Sequence, residues 1–271
     1  MDMAHDDAGA LRAHISDAEW QARCDLAALY RLVALYGWDD LIFTHISARV
    51  AAKDSWVKQA DGSYGPAEID HFLINPYGMF FHEMTASSLV KIDAEGRTVG
   101  DNQAMVNPAG FTIHSAVHGA VSGAHFVIHL HTDAMTGVSA QKEGLLPLTQ
   151  NALLIRPQLA YHDYEGVALD LEERRRIVDD LGDKRFLMLR NHGTLVWGGS
   201  AAEAFASIYF LEQACRQQIA ALTAGRDGVR EVGQAVQDKV APLSQGVAYV
   251  GLLMWPGLMR RLTREAVGYD S

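Results

Sequence analysis

The sequence predicts a layered domain of the α/β or α+β class, and three observations carry that expectation. Segments with helical spacing of apolar residues alternate with short apolar runs of strand character, and no stretch repeats. The 271 residues are 49% hydrophobic, enough for one sizeable core, and neither a linker nor a second composition interrupts them. The run His125-Phe-Val-Ile-His129-Leu-His131 reads as buried sheet. As a strand it sends Phe126, Ile128 and Leu130 to one face and His125, Val127, His129 and His131 to the other.

The elements follow in order. Residues 1–16 are small and polar without a period and read as a flexible arm; residues 17–271 form one domain with a C-terminal tail from about 242. Ser16-Asp-Ala-Glu19 predicts a capping box, and Trp20, Cys24, Ala27, Tyr30 and Ala34 recur at helical spacing up to a stop at Gly37. Strands are expected over 41–50 and 56–58, then the turn-rich Asp61-Gly-Ser-Tyr-Gly-Pro66, then a strand over 69–74. That strand runs into Asn75-Pro-Tyr-Gly78, which suits either a turn or a ligand loop. A helical turn over 85–88, a strand over 89–92 and a tight turn over 93–96 precede a helix over 109–121, which places His114 and His118 on one face.

After the histidine strand come a short helix over 133–140, a stretch of mixed character to Ala160 and a charged amphipathic helix over 171–181. A strand over 185–189 leads to Asn191-His192-Gly193, and its return over 195–197 ends at Gly198-Gly199. Ser200-Ala-Ala-Glu203 predicts a second capping box, opening a long helix with Ala204, Ile208, Leu211, Cys215, Ile219 and Leu222 along one stripe. The tail from Val247 gathers Tyr249, Trp255 and Tyr269 with Arg260, Arg261 and Arg264.

Composition excludes several roles. With 23 basic against 33 acidic residues the formal net charge is -10, which argues against a nucleic-acid-binding surface and against docking on anionic lipid. Local charge still leaves room for an anionic small molecule. The only cysteines, Cys24 and Cys215, make neither a disulfide framework nor a thiolate metal site, and a reducing cytoplasm fits. No run reaches the roughly 18 apolar residues of a membrane span, and Met1-Asp-Met-Ala-His-Asp-Asp lacks the basic start of a signal peptide. A cytoplasmic location without membrane contact is expected.

Two imidazoles two residues apart on a stiff strand point the same way, and His192 offers a third donor. The same spacing fits a half-exposed strand with polar residues outward. Seven motifs in order then carry a resemblance: Thr44-His-Ile-Ser-Ala-Arg49, Phe72-Leu-Ile-Asn-Pro-Tyr-Gly78, Thr85-Ala-Ser-Ser-Leu-Val-Lys91, Ala109-Gly-Phe-Thr-Ile-His114, His129-Leu-His-Thr132, Tyr161-His-Asp-Tyr164 and Arg190-Asn-His-Gly193. From about Asp17 to Ala221 the chain resembles the class II aldolase and adducin head-domain family, most closely its adducin-like members.

The resemblance implies a three-layer αβα domain with a mixed central sheet, a metal-dependent lyase site and a homo-oligomer, with a tetramer favoured. It maps a divalent transition metal onto His129, His131 and His192, with Zn first and Mn, Fe, Co or Ni compatible with imidazole. It also implies a tail segment suited to closing over a site.

The departures narrow the chemistry. Where sugar-phosphate aldolases of the family carry Ser-Ser-Glu, this chain reads Pro108-Ala109-Gly110, so phosphate hydroxyls and catalytic carboxylate are both missing. His45 stands for an Asn of the phosphate turn and Tyr77 for a small Thr. A non-phosphorylated small molecule is therefore the expected substrate, held by Asn75, Tyr77 and Gly78. The catalytic candidates are His45, His114 and Tyr161. His45 reads as acid and base or as a packed strand end; His114 faces the metal or caps the sheet; Tyr161 and Tyr164 reach a neighbour's site or pack. Arg156, Arg260 and Arg261 suit an anion clamp or a solvated face. The function that follows is a lyase breaking a C-C bond by retro-aldol cleavage or decarboxylation; the alternative is a non-catalytic adducin-like oligomeric scaffold.

Overall fold

The histidine strand holds the middle position of a seven-stranded sheet in the computed structural model, which describes residues 8–100, 102–166, 172–266 and 268–271. In chain order the elements are α1 Ala8–Arg12, α2 Asp17–Leu35, β1 His45–Val50, β2 Trp56–Lys58, β3 Tyr64–Pro66, β4 His71–Ile74, β5 Val90–Ile92, α3 Pro108–Ala120 and β6 Phe126–Leu130. There follow α4 Asp133–Ser139, α5 Gln150–Ile155, β7 Leu159–His162, α6 Glu173–Leu181, β8 Phe186–Leu189, β9 Gly193–Gly198, α7 Ala201–Leu222, α8 Gln234–Val240 and α9 Val247–Glu265. The sheet runs β5-β4-β1-β6-β9-β8-β7 and is antiparallel except for the β7/β8 pair, so it is mixed, as expected.

Strand alternation sorts each side chain into one of two layers. Ile46, Ala48, Phe126, Ile128, Leu130, Phe186, Met188 and Val196 join the large core beneath α2, α4 and α7. Their neighbours Val127, Leu187, Leu189 and Leu195 pack instead on Ile113 and Val117 of α3 and Ile177 and Leu181 of α6. Helices on both faces of a mixed sheet make the three-layer domain. His45, Ser47 and His129 carry the parity of Val127, which turns them toward α3.

Several local expectations need correction. The arm is helical over Ala8–Arg12, where its ring neighbour His14 stacks on Tyr64 at 4.2 Å. The stretch expected as a turn contains a strand, since Tyr64–Pro66 pairs with Trp56–Lys58 in a separate two-stranded hairpin. The mixed stretch to Ala160 resolves into α5, capped by the Thr149 hydroxyl, and the edge strand β7. At both predicted capping boxes the serine accepts from the glutamate's N–H, but neither glutamate reaches back to it. Glu19 binds Arg23 and Lys91, while Glu203 accepts from Gly199 N–H at 3.1 Å. Part of the predicted helix over 171–181 lies outside the described residues; the described helix begins at Glu173.

The tail does not close over the histidines. Its α9 packs on α7, where a Cβ at Gly251 would collide with the Ala202 carbonyl, and Arg261 lies over the Tyr36 ring while pairing with Glu265. Among the described residues no helix is long and apolar enough to cross a membrane.

Candidate metal centre

Three imidazoles meet where β6 ends and the β8–β9 turn folds back. His129 is the penultimate residue of β6, His131 follows that strand, and His192 sits in the turn behind Asn191, whose φ is +57°. Gly193 permits the close approach: a Cβ there would lie 2.5 Å from the Leu130 carbonyl oxygen and 2.9 Å from the His131 ring. The ligand atoms of His129, His131 and His192 lie within 4.8 Å of one another.

Hydrogen bonds decide which nitrogens face inward. The Thr194 carbonyl can only accept, so His129 donates Nδ1–H to it at 3.0 Å; the Asp40 carboxylate likewise takes Nδ1–H of His131 at 3.1 Å. Both Nε2 atoms are left as lone pairs, and they face each other at 2.9 Å. Two neutral imidazoles cannot satisfy that contact themselves, and a shared cation can. Burial first, then the neighbouring imidazoles, hold His129 far below the usual histidine range, and burial, then His131, brings His192 to about 4, so both imidazoles are available as neutral donors. The donor set therefore fits a divalent transition metal. An Asp40→Asn variant should bind such a metal about 10- to 100-fold more weakly, because the carboxylate that orients His131 is lost; competition against a chromophoric chelator measures it.

Beside the triad opens a cleft of about 380 Å³ lined by Phe43, Tyr77, Ile113 and Tyr164 on its apolar side and by Asp40, His45 and Asn107 on its polar side. Its described lining contains no lysine or arginine. The Tyr164 ring lies 6.3 Å from that of His192.

The remaining predicted residues divide. His45 lines the cleft, with its ring 4.9 Å from that of His129. A Cβ at Gly110 would lie 2.6 to 2.9 Å from the His45 ring, so the imidazole occupies the space a side chain at position 110 would need. His114 stands behind His45, its Nε2 2.9 Å from His45 Nδ1, and does not reach the triad. Tyr77 lines the cleft beside Gly78, whose φ of +100° turns the loop.

Asn75 does not enter the cleft: it is buried and its side-chain carbonyl accepts from the Tyr30 hydroxyl at 2.8 Å. Tyr161 is held elsewhere in its own chain, accepting from Leu145 N–H at 3.0 Å under the Arg190 guanidinium. Arg156 donates to the Leu145 carbonyl, which explains it as a loop tie. His125 is exposed ahead of β6, whereas His118 is buried and bonded at both nitrogens. Sequence reasoning missed Asp40, Phe43, Asn107 and Ser47. Only Ser47 left a signal, by sharing the face of His45 two residues away.

Comparison with known proteins gives the family. The sequence model for the Class II Aldolase and Adducin N-terminal domain matches residues 24–219. The chain belongs to that family. A Caulobacter vibrioides protein, provisionally named an aldolase class 2 protein, is 58% identical over 260 residues, spanning 96% of this chain and 95% of its own. Alpha-adducin of Rattus norvegicus is 44% identical over 203 residues, which are 74% of this chain but 25% of the adducin. Among solved structures, an aldolase II superfamily protein from Pseudomonas syringae superposes with a TM-score of 0.85 at 43% identity, covering 96% of this chain and 99% of that one. The L-fuculose 1-phosphate aldolase from Glaciozyma antarctica, at 24% identity, TM-score 0.74 and 92% coverage of both chains, shares the class II aldolase fold.

Proposed function

We propose that this family member is a metal-dependent lyase that cleaves a C-C bond in a non-phosphorylated hydroxy or keto substrate, by retro-aldol cleavage or decarboxylation. The observation that carries the reading is the pair of convergent Nε2 lone pairs of His129 and His131 with His192 alongside. These three would hold a divalent metal, Zn first and Mn, Fe, Co or Ni as alternatives, which when bound supplies electrophilic stabilisation of negative charge on substrate oxygen.

The other residues take the remaining work. Phe43, Tyr77 and Tyr164 flank the substrate and exclude water, Asn107 offers an amide to a hydroxyl or carbonyl, and His45 exchanges a proton with it. A phosphate group is disfavoured by the cation-free described lining as well as by the missing serines. A homo-oligomer, with a tetramer favoured, would cover the exposed Leu41, Phe43 and Met105 near the mouth.

Elemental mass spectrometry of untagged protein purified without chelator tests this. About one transition-metal equivalent per chain is expected, and His129→Ala and His192→Ala should each lose it together with turnover. Turnover retained in a metal-free variant would refute the proposal. The likeness to alpha-adducin favours a second reading, an oligomeric scaffold; a protein that takes up no metal from Zn²⁺, Mn²⁺ or Co²⁺ yet stays assembled would support it.

A further inference from the structure

A buried hydrogen-bonded chain runs from the backbone of the α3–β6 turn to the cleft. His118 Nδ1 lies 2.8 Å from the Ala124 carbonyl oxygen, and its Nε2 2.7 Å from Ser47 Oγ. Ser47 Oγ lies 2.6 Å from His114 Nδ1, and His114 Nε2 lies 2.9 Å from His45 Nδ1. All four side chains are at most 2% exposed. His45 Nε2 alone has no partner among the described residues, and it belongs to a ring that lines the cleft.

The polarity of this chain is fixed at its far end. A carbonyl only accepts, so His118 carries its proton on Nδ1 and, when neutral, offers a lone pair at Nε2. Ser47 must then donate its O–H to His118 and accept Nδ1–H from His114. His114 Nε2 is consequently a lone pair and accepts Nδ1–H from His45. The reverse direction requires His118 to be doubly protonated. Burial opposes that, and so does the Arg49 guanidinium, which donates to the His118 carbonyl.

We propose that Ser47 and His118 are positioning residues that set the tautomer of His45, presenting its Nε2 to the cleft as a lone pair ready to accept a proton. Used in the lyase reaction, on which this application rests, Nε2 takes the proton of a substrate β-hydroxyl. The O–H electron pair becomes the new C=O bond as the C-C bond breaks, and the C-C pair stays on the carbonyl-bearing fragment as an enolate. The proton on His45 is then available to that enolate, which restores the starting tautomer. A serine two residues from the base and a histidine on the next helix thus do the orienting that a lone imidazole cannot do for itself.

The test needs neither metal nor substrate, so it is independent of whether the lyase reading holds. In metal-stripped protein with ¹⁵N-labelled histidine, two-bond nitrogen–carbon-proton correlation spectra report each tautomer. Wild type is expected to show His45, His114 and His118 all protonated at Nδ1 and bare at Nε2, the opposite of the form favoured by neutral histidine in water. Ser47→Ala should release the constraint and move His45 and His114 to the Nε2–H form, while Ser47→Thr, which keeps the hydroxyl, should restore Nδ1–H. An Nε2–H His45 in wild type, or a His45 signal unmoved by Ser47→Ala, would overturn the proposal. If Ser47→Ala fails to fold, the wild-type assignment alone decides the tautomer. Metal content of Ser47→Ala should equal wild type, because the triad is untouched.

Discussion

Stripped of metal by a chelator, the protein is expected to unfold steeply between about pH 5 and 6, well above the range where most domains meet acid. Four histidines set this: His45, His114, His118 and His129 are each at most 2% exposed, and burial, their first cause, holds all four far below the usual range, His118 at about 3. In the unfolded chain each titrates near pH 6.5. The unfolded state therefore binds more protons as pH falls below about 6.5, and stability falls with it. At pH 5.5 each group costs about 1.4 kcal/mol, four together about 5 to 6 kcal/mol, against a total domain stability of about 5 to 15 kcal/mol. A pH titration followed by circular dichroism measures the midpoint. Metal that binds the neutral His129, His131 and His192 should move it to lower pH. A metal-free midpoint below pH 4 would mean these imidazoles are not buried as neutral groups.

The same residues show how far sequence reading reaches. Alternation along Phe126–Leu130 separated the histidine face from the apolar face correctly because a buried strand imposes period two on its own side chains. The stop at Gly37, the helix expected over 109–121 and found as Pro108–Ala120, and the cap at Ser200 were legible for the same local reason. The link between His45 and His114 was not legible, since it joins residues 69 apart across a strand and a helix, and no local pattern records which imidazole faces which. Asp40 orients His131 over a separation of 91 residues, from a turn with no period at all.

Some misreadings had a more particular cause. Asn75 sits in a polar motif that suits ligand binding, yet the Tyr30 hydroxyl already occupies its side-chain carbonyl. The Glu19 carboxylate has the right spacing for a capping box, but a buried Lys91 arriving from β5 outbids the helix's own N–H. Tertiary charge overrode local propensity there, and sequence spacing could not register it.

That carboxylate is the site of the second large expected effect: Glu19→Gln should destabilise the protein by about 3 to 5 kcal/mol. Glu19 is fully buried; its Oε1 accepts from Arg23 Nε and Nη2 at 3.1 and 3.0 Å, and its Oε2 accepts from Lys91 Nζ at 2.9 Å. Arg23 also donates to the Leu89 carbonyl at 2.9 Å and Lys91 to the Trp56 carbonyl at 2.7 Å, so one carboxylate ties α2 to β5, to the segment before it and to the hairpin. An amide keeps the shape but removes the charge that both cations share, and their desolvation is then no longer offset. Burial, the first cause, lowers the Arg23 guanidinium from its ordinary value, the direction expected of a charge taken out of water. Urea unfolding measures the loss. A triple Glu19→Leu, Arg23→Met, Lys91→Met replacement should recover most of it, because the penalty lies in the stranded charges rather than in missing volume. A Glu19→Gln protein within 1 kcal/mol of wild type would show that water or backbone dipoles, and not the carboxylate, compensate the two cations.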